Sequence, residues 1–168
     1  MTEIFKITTR PIEGDITASG KTRYNQVSPE EFLAVVDEIL ATPGIRSIGW
    51  TQHTPYFNDG EPCEFGLGEL ALDLDPAIYG EVDDDDAYAL PEEGYNWATS
   101  WGIYTYPERG NYSTRKYELN GVDTKPLNDI FSKWASERYE NVALDSFGDH
   151  AVVVATPEGF SVDYYEHE

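Results

Sequence analysis

The chain's 168 residues carry 32 acids against 11 lysines and arginines, a net charge of −21; so negative a surface repels DNA, RNA and anionic lipid, which argues against direct binding to any of them. Hydrophobic residues at 40% and aromatics at 14% can fill the core of one domain of this length, which excludes global disorder. The single cysteine, Cys63, permits no internal disulfide, the start MTEIFKITTRPIEGD lacks a secretory pattern, and no apolar run approaches the ~20 residues that span a bilayer, so a reducing cytoplasm is the expected compartment.

In chain order, EIFKITT (residues 3–9) alternates apolar and polar residues and predicts a strand. SPEEFLAVVDEIL predicts a helix. Ser28 stands as N-cap, Pro29 at the first helical position and Glu31 three after the cap, a capping box. Phe32, Val35, Val36, Ile39 and Leu40 then recur at helical spacing, and TPG (42–44) stops them. Two alternating runs flank Asn58-Asp59-Gly60, a hairpin signal that sets His53 opposite Phe65 with Cys63 as diagonal neighbour. In ELALDLD (69–75), Leu70, Leu72 and Leu74 point to one face while Glu69, Asp73 and Asp75 share a solvent face. Residues 76–96 show no period over about twenty positions, the length of a functional or disordered loop. WATSWGIYTY (97–106) predicts a further strand.

A second helix starts near Asp123, with Leu127, Ile130, Phe131, Trp134 and Arg138 along one stripe. NVALDSF, HAVVVAT and FSVDYY then read as a meander, turned at Gly148-Asp149 and at TPEG (156–159). The expected architecture is α+β in one domain: an antiparallel sheet of six or seven strands with two helices packed on one face.

The charge is unevenly placed. Residues 1–46 carry a net of −2 and residues 109–168 a net of −5, whereas residues 47–108 hold 14 acids and neither lysine nor arginine. Within this insert-like span, GEVDDDDAYALPEEGYNW concentrates the acids between two predicted strands.

Several chemistries compete for it. Asp73 and Asp75 on one strand face, with the four aspartates 83–86, offer hard oxygen ligands for a divalent cation. The spaced aspartate pattern of a calcium loop is absent, however, so a solvated charge run is the plainer reading. His53 and Cys63 form a conceivable nucleophilic dyad, but Pro55 and Pro62 break the ladder nearby and acidic surroundings disfavour a thiolate. His150 and His167 complete the histidines without zinc spacing. GLGELA (66–71) lacks the third glycine and the lysine of a phosphate loop. No cofactor is expected.

What remains is the acidic span as a surface. Duplex DNA carries one charge per ~1.7 Å of axis, so fourteen charges correspond to about 24 Å of duplex, which fits one side of a domain this size. The expected function is that of a non-enzymatic, DNA-mimicking inhibitor of a basic nucleic-acid-binding protein: a nuclease, a defence complex, a polymerase or a nucleoid protein. The expected contact residues are Glu69, Asp73, Asp75, Glu81, Asp83, Asp84, Asp85, Asp86, Glu92 and Glu93, with Tyr79 and Tyr88 as apolar anchors. Tyr56, Phe57 and Tyr95 interleave with them, while Trp97 and Trp101 are assigned to the core. An immunity-type inhibitor of a toxin nuclease would share this physics.

Two alternatives stand beside it. One is a small metal-dependent or Cys/His enzyme built on Asp73, Asp75, Cys63 and His53. The other is halophilic adaptation, which should spread acids over every solvated face rather than leave the flanks nearly balanced.

The stretch GWTQHTPYFNDGEPCEF (49–65) resembles a motif of mostly phage-encoded acidic proteins, Trp-Thr-Gln, a variable residue, then Thr-Pro-Tyr-Phe-Asn-Asp-Gly; His53 stands where tyrosine is expected. The resemblance covers about a tenth of the chain and transfers no catalytic residue. It implies a phage origin, the host cell's cytoplasm, and an inhibitor of host nucleic-acid machinery.

Overall fold

The computed structural model describes residues 5–14, 16, 25–55, 64–87, 89–108, 110 and 114–165. The chain folds as a mixed α/β structure. Its elements are β1 (Ile12–Gly14), α1 (Pro29–Leu40), β2 (Ile45–His53), β3 (Gly66–Leu67), β4 (Ala71–Leu74), α2 (Pro76–Tyr79) and β5 (Trp97–Ala98). A small hairpin, β6 (Glu118–Leu119) and β7 (Val122–Asp123), leads to α3 (Lys125–Lys133), α4 (Glu140–Phe147), β8 (Ala151–Thr156) and β9 (Gly159–Tyr164). No helix among the described residues is long and apolar enough to cross a membrane.

The main sheet has seven strands in the order β1-β9-β8-β2-β4-β5, with β3 also on β2. It is mixed rather than all-antiparallel, because β1 joins β9 in parallel, Ile12 opposite Phe160 and Gly14 opposite Val162. The predicted strand at 3–9 is absent from the described part of that segment. Ile7 is buried instead, its amide donating to Ser146 Oγ of α4 at 2.8 Å. That crossing takes the chain over a helix before it reaches the sheet edge.

The capping box predicted for α1 forms as expected: Ser28 Oγ accepts from the Glu31 amide and Glu31 Oε1 from the Ser28 amide. Its apolar stripe, Phe32, Leu33, Val36 and Ile39, is buried on one face of the sheet. There Trp50 meets Phe32 edge-on at 6.1 Å and Phe147 at 5.9 Å, and Phe147 meets Phe160 at 4.9 Å. Buried Gln52 ties β2 to α4, its amide group donating to Ala143 O and Gly148 O at 2.9 and 2.7 Å while its carbonyl accepts from Trp50 Nε1.

Residues 141–147 are helix, not strand. Asn141, Val142, Ala143, Leu144, Ser146 and Phe147 are all buried, so no solvated face leaves the period-2 signature that a strand needs, and a short apolar run is ambiguous between the two forms. The stripe predicted to reach Arg138 breaks at Trp134, where α3 gives way to a 3-10 turn over Ser136–Arg138. The predicted strand 97–106 shrinks to Trp97–Ala98; the chain turns at Thr99 and returns only for a bridge between Thr105 and Lys116.

The other face of the sheet departs most from expectation. All four residues of β4 are buried, Asp73 included, because that face is covered as well. A second apolar cluster joins Ala71, Trp97, Val152 and Val154 of the sheet to Ala87 and Leu90 of the loop. The acidic loop is therefore the lid of the sheet's second face.

Candidate protein-binding acidic face

The loop's approach to the sheet rests on Gly49 in the middle of β2: a Cβ there would stand 2.9 Å from the Trp97 ring and 3.3 Å from Leu90. With no side chain in the way, the Trp97 ring of β5 lies over β2. Its indole N–H donates to Pro91 O at 2.6 Å, and Tyr95 stacks on its outer side at 4.9 Å and 11°.

Polar side chains fix the rest. Asp73 Oδ1 accepts from Arg46 at 2.6 Å and from the Asn96 amide at 2.8 Å, and Oδ2 accepts from Ser47 Oγ at 2.7 Å. Arg46 reaches it because the β2–β4 register shifts between Ile45 and Ser47, leaving Arg46 as the extra residue of a bulge. Asn96 spans the loop's neck, donating to Leu74 O and Gly80 O and accepting from the Val82 amide. Asn120, in the β6–β7 turn, donates to Tyr79 O and Glu81 O at 2.7 and 3.0 Å. Asp84 Oδ2 accepts from the Thr99 amide and hydroxyl at 2.7 and 3.0 Å, and Oδ1 from the Asp86 amide at 3.0 Å.

These bonds sort the candidate residues. Asp73 is buried and paired, so it belongs to the scaffold, not to a solvent face. Asp75 caps α2, accepting from the Ala77 amide at 2.9 Å. Tyr79 is buried beneath Gly44, which holds φ at +90° and would carry a Cβ 2.5 Å from the ring, so Tyr79 is no surface anchor. Asp84 is half-buried in its bonds to Thr99. Glu69, Glu81, Asp83, Asp85, Asp86, Glu92 and Glu93 are exposed. Tyr88, Tyr56, Phe57, Cys63, His167 and the Asn58-Asp59-Gly60 turn lie outside the described residues.

None of those seven exposed acids forms an ion pair with a lysine or arginine among the described residues; Arg10, Arg46 and Lys116 pair with Asp37, Asp73 and Glu118. Part of the set frames a concavity of about 500 Å³ in which Asp83, Asp84, Asp85 and Glu92 face the ring pair Tyr95 and Trp97. A negative recess with an aromatic wall accepts a cationic side chain by charge and by cation–π attraction together.

Trp101, assigned to the core from sequence, is 61% exposed. Its backbone is held: the Trp101 amide donates to Thr99 Oγ1, the hydroxyl that Asp84 also binds, and neighbouring Ser100 donates to Glu69 Oε1 at 2.7 Å. Ile78 on α2 is 46% exposed.

Asp73 and Asp75 are committed to Arg46 and Ala77, and among the described residues no group of three or more His, Cys, Asp or Glu could hold a metal ion. His53 pairs with Gly66, one position off the expected register, and its ring lies 5.3 Å from Tyr165 and 6.2 Å from His150. Compared with protein-family models, with curated proteins and with solved structures, the chain matches none.

Proposed function

We propose that the outer surface of the loop, residues 81–93, binds a basic nucleic-acid-binding protein and occupies the site where that protein takes DNA. One observation carries this reading: six exposed carboxylates, Glu81, Asp83, Asp85, Asp86, Glu92 and Glu93, ride on one hydrogen-bonded loop with no cation paired to them among the described residues. Like charges held together repel, and a basic partner would relieve that repulsion by neutralising them.

The scale of the mimicry is smaller than the span's total charge suggests. Six charges correspond to about 10 Å of duplex axis at ~1.7 Å each, the stretch of backbone that a single binding cleft grips. Trp101 supplies what charge lacks, a large apolar group that inserts into the partner and sets specificity. The phage-like motif at residues 50–60 favours counter-defence or host takeover as the setting.

Immobilised protein incubated with a bacterial lysate at low salt should retain a nucleic-acid-binding protein that duplex DNA elutes. Retention of proteins indifferent to both DNA and salt would rule the reading out.

A further inference from the structure

Asn120 fastens the neck of the acidic loop through one nitrogen. Its Nδ2 donates to Tyr79 O and Glu81 O at 2.7 and 3.0 Å, where the loop leaves α2. The seat is tight: Gly80 holds φ at +73°, and a Cβ there would stand 2.5 Å from Nδ2. Asn120 is also the chain's one asparagine followed by glycine. Both residues of the turn are exposed, at φ 51° and 82°, the left-handed pair of a two-residue hairpin. The Gly121 amide donates to no acceptor among the described residues, and a Cβ on Gly121 would meet nothing within 4 Å. The nitrogen next to the Asn120 carboxamide is therefore neither hydrogen-bonded nor crowded.

We propose that Asn120 is a deamidation site, and that its conversion releases the loop's neck irreversibly. The Gly121 nitrogen attacks Asn120 Cγ, and the new C–N bond closes a succinimide ring. The Cγ–Nδ2 bond breaks, and Nδ2 departs as ammonia with the proton that the Gly121 nitrogen gives up. Water then opens the ring at either carbonyl, leaving aspartate or isoaspartate. Either product sets a carboxylate, which has no hydrogen to donate, in place of the amide that served Tyr79 O and Glu81 O. Three acceptors then face one another, and the two bonds cannot re-form. Isoaspartate also lengthens the backbone of a two-residue turn whose length fixes the β6–β7 register. While the two bonds last they restrain the carboxamide, so the folded turn reacts more slowly than the same residues in an unfolded chain. The release does not depend on what the loop binds.

The test incubates the full chain in mildly alkaline buffer, with a second sample in urea, and follows every asparagine by peptide mass spectrometry. Asn120 should convert before any other asparagine, and faster in urea than in buffer. The converted chain separates from the fresh one by anion exchange, on its added charge. Its Gly80 and Val82 amides should exchange hydrogen about tenfold faster than in the fresh chain, with α1 unchanged. Asn120→Asp should reproduce that acceleration without incubation. An Asn120 that stays an amide in buffer after the urea sample has converted, or that another asparagine precedes, overturns the site. A converted chain that exchanges like the fresh one overturns the release. If circular dichroism shows the converted chain unfolded, Asn120→Asp decides by the same exchange criterion.

Discussion

Asp84 accepts both the amide and the hydroxyl hydrogen of Thr99 on a single carboxylate oxygen, at 2.7 and 3.0 Å. One of four consecutive aspartates is thus a structural tie, and its neighbours Asp83 and Asp85 are exposed. Gly102 makes room for it, since a Cβ there would lie 2.2 Å from the same oxygen. Asp84→Ala should cost about 1–3 kcal/mol in urea unfolding, because it leaves the Thr99 amide and hydroxyl without their acceptor. Asp85→Ala should change stability by no more than about 0.5 kcal/mol. Equal effects at the two positions would contradict this division of labour.

Gly49 sets how closely the loop lies on the sheet. Gly49→Ala should destabilise by about 1–3 kcal/mol through overpacking against Trp97 and Leu90. It should also raise amide hydrogen exchange across residues 82–96 more than in α1. Uniform exchange throughout the chain would mean that the loop is not seated through this contact.

Arg10 forms paired hydrogen bonds with Asp37 of α1 at 2.5 and 2.6 Å. These bonds hold the Asp37 carboxyl below its ordinary value of 3.8, with burial pushing the other way and the Arg10 charge lowering it further. A lowered folded-state value stabilises the fold above the ordinary carboxylate range, and that gain disappears as pH falls through the lowered value. With the two side chains 27% and 51% exposed, solvent screening keeps the gain near 0.5 kcal/mol or below. Asp37→Asn should therefore lower Tm slightly at pH 7 and not at all near pH 2. A difference that persists at acid pH would contradict the assignment.

Salt separates the proposed function from halophilic adaptation. Phe32, Trp50 and Phe147 are 0% exposed, so any salt requirement would come from the charged surface rather than the core. The chain should fold in dilute buffer, with Tm rising modestly as added salt screens the loop. Amidation of the six exposed loop acids should flatten that rise. Unfolding in dilute buffer with recovery in molar salt would favour the halophilic account.

Much of the architecture is legible in the sequence, for identifiable reasons. The α1 capping box with its helical stripe announces itself, and β8 and β9 do so through turn signals at both ends, β8 as a short run apolar from Ala151 to Ala155 and β9 with a partly alternating pattern. Residues 141–147 mislead because burial on every side erases the period. The acidic site is legible only in outline. Charge counting finds the loop, yet it treats Asp73, Asp84 and Asp83 alike, since the difference lies in partners distant in sequence: Arg46, Thr99 and solvent. Hydrophobicity does not separate exposed Trp101 from buried Trp97. Asn96 and Asn120, which brace the loop, carry one usable signal between them: Asn120-Gly121 is a hairpin dipeptide, and both residues hold positive φ, 51° and 82°. Nothing in the sequence marks Gly49 as the position that lets a charged loop lie on a sheet.

The most direct test compares capture from a bacterial lysate by two immobilised chains, the natural one and one with Glu81, Asp83, Asp85, Asp86, Glu92 and Glu93 changed to their amides. The natural chain should hold a basic nucleic-acid-binding protein that duplex DNA displaces, and the amidated chain, equally folded by circular dichroism, should hold none. Capture of that protein by both chains alike would show that the exposed carboxylates serve no outside ligand, and the account would fail.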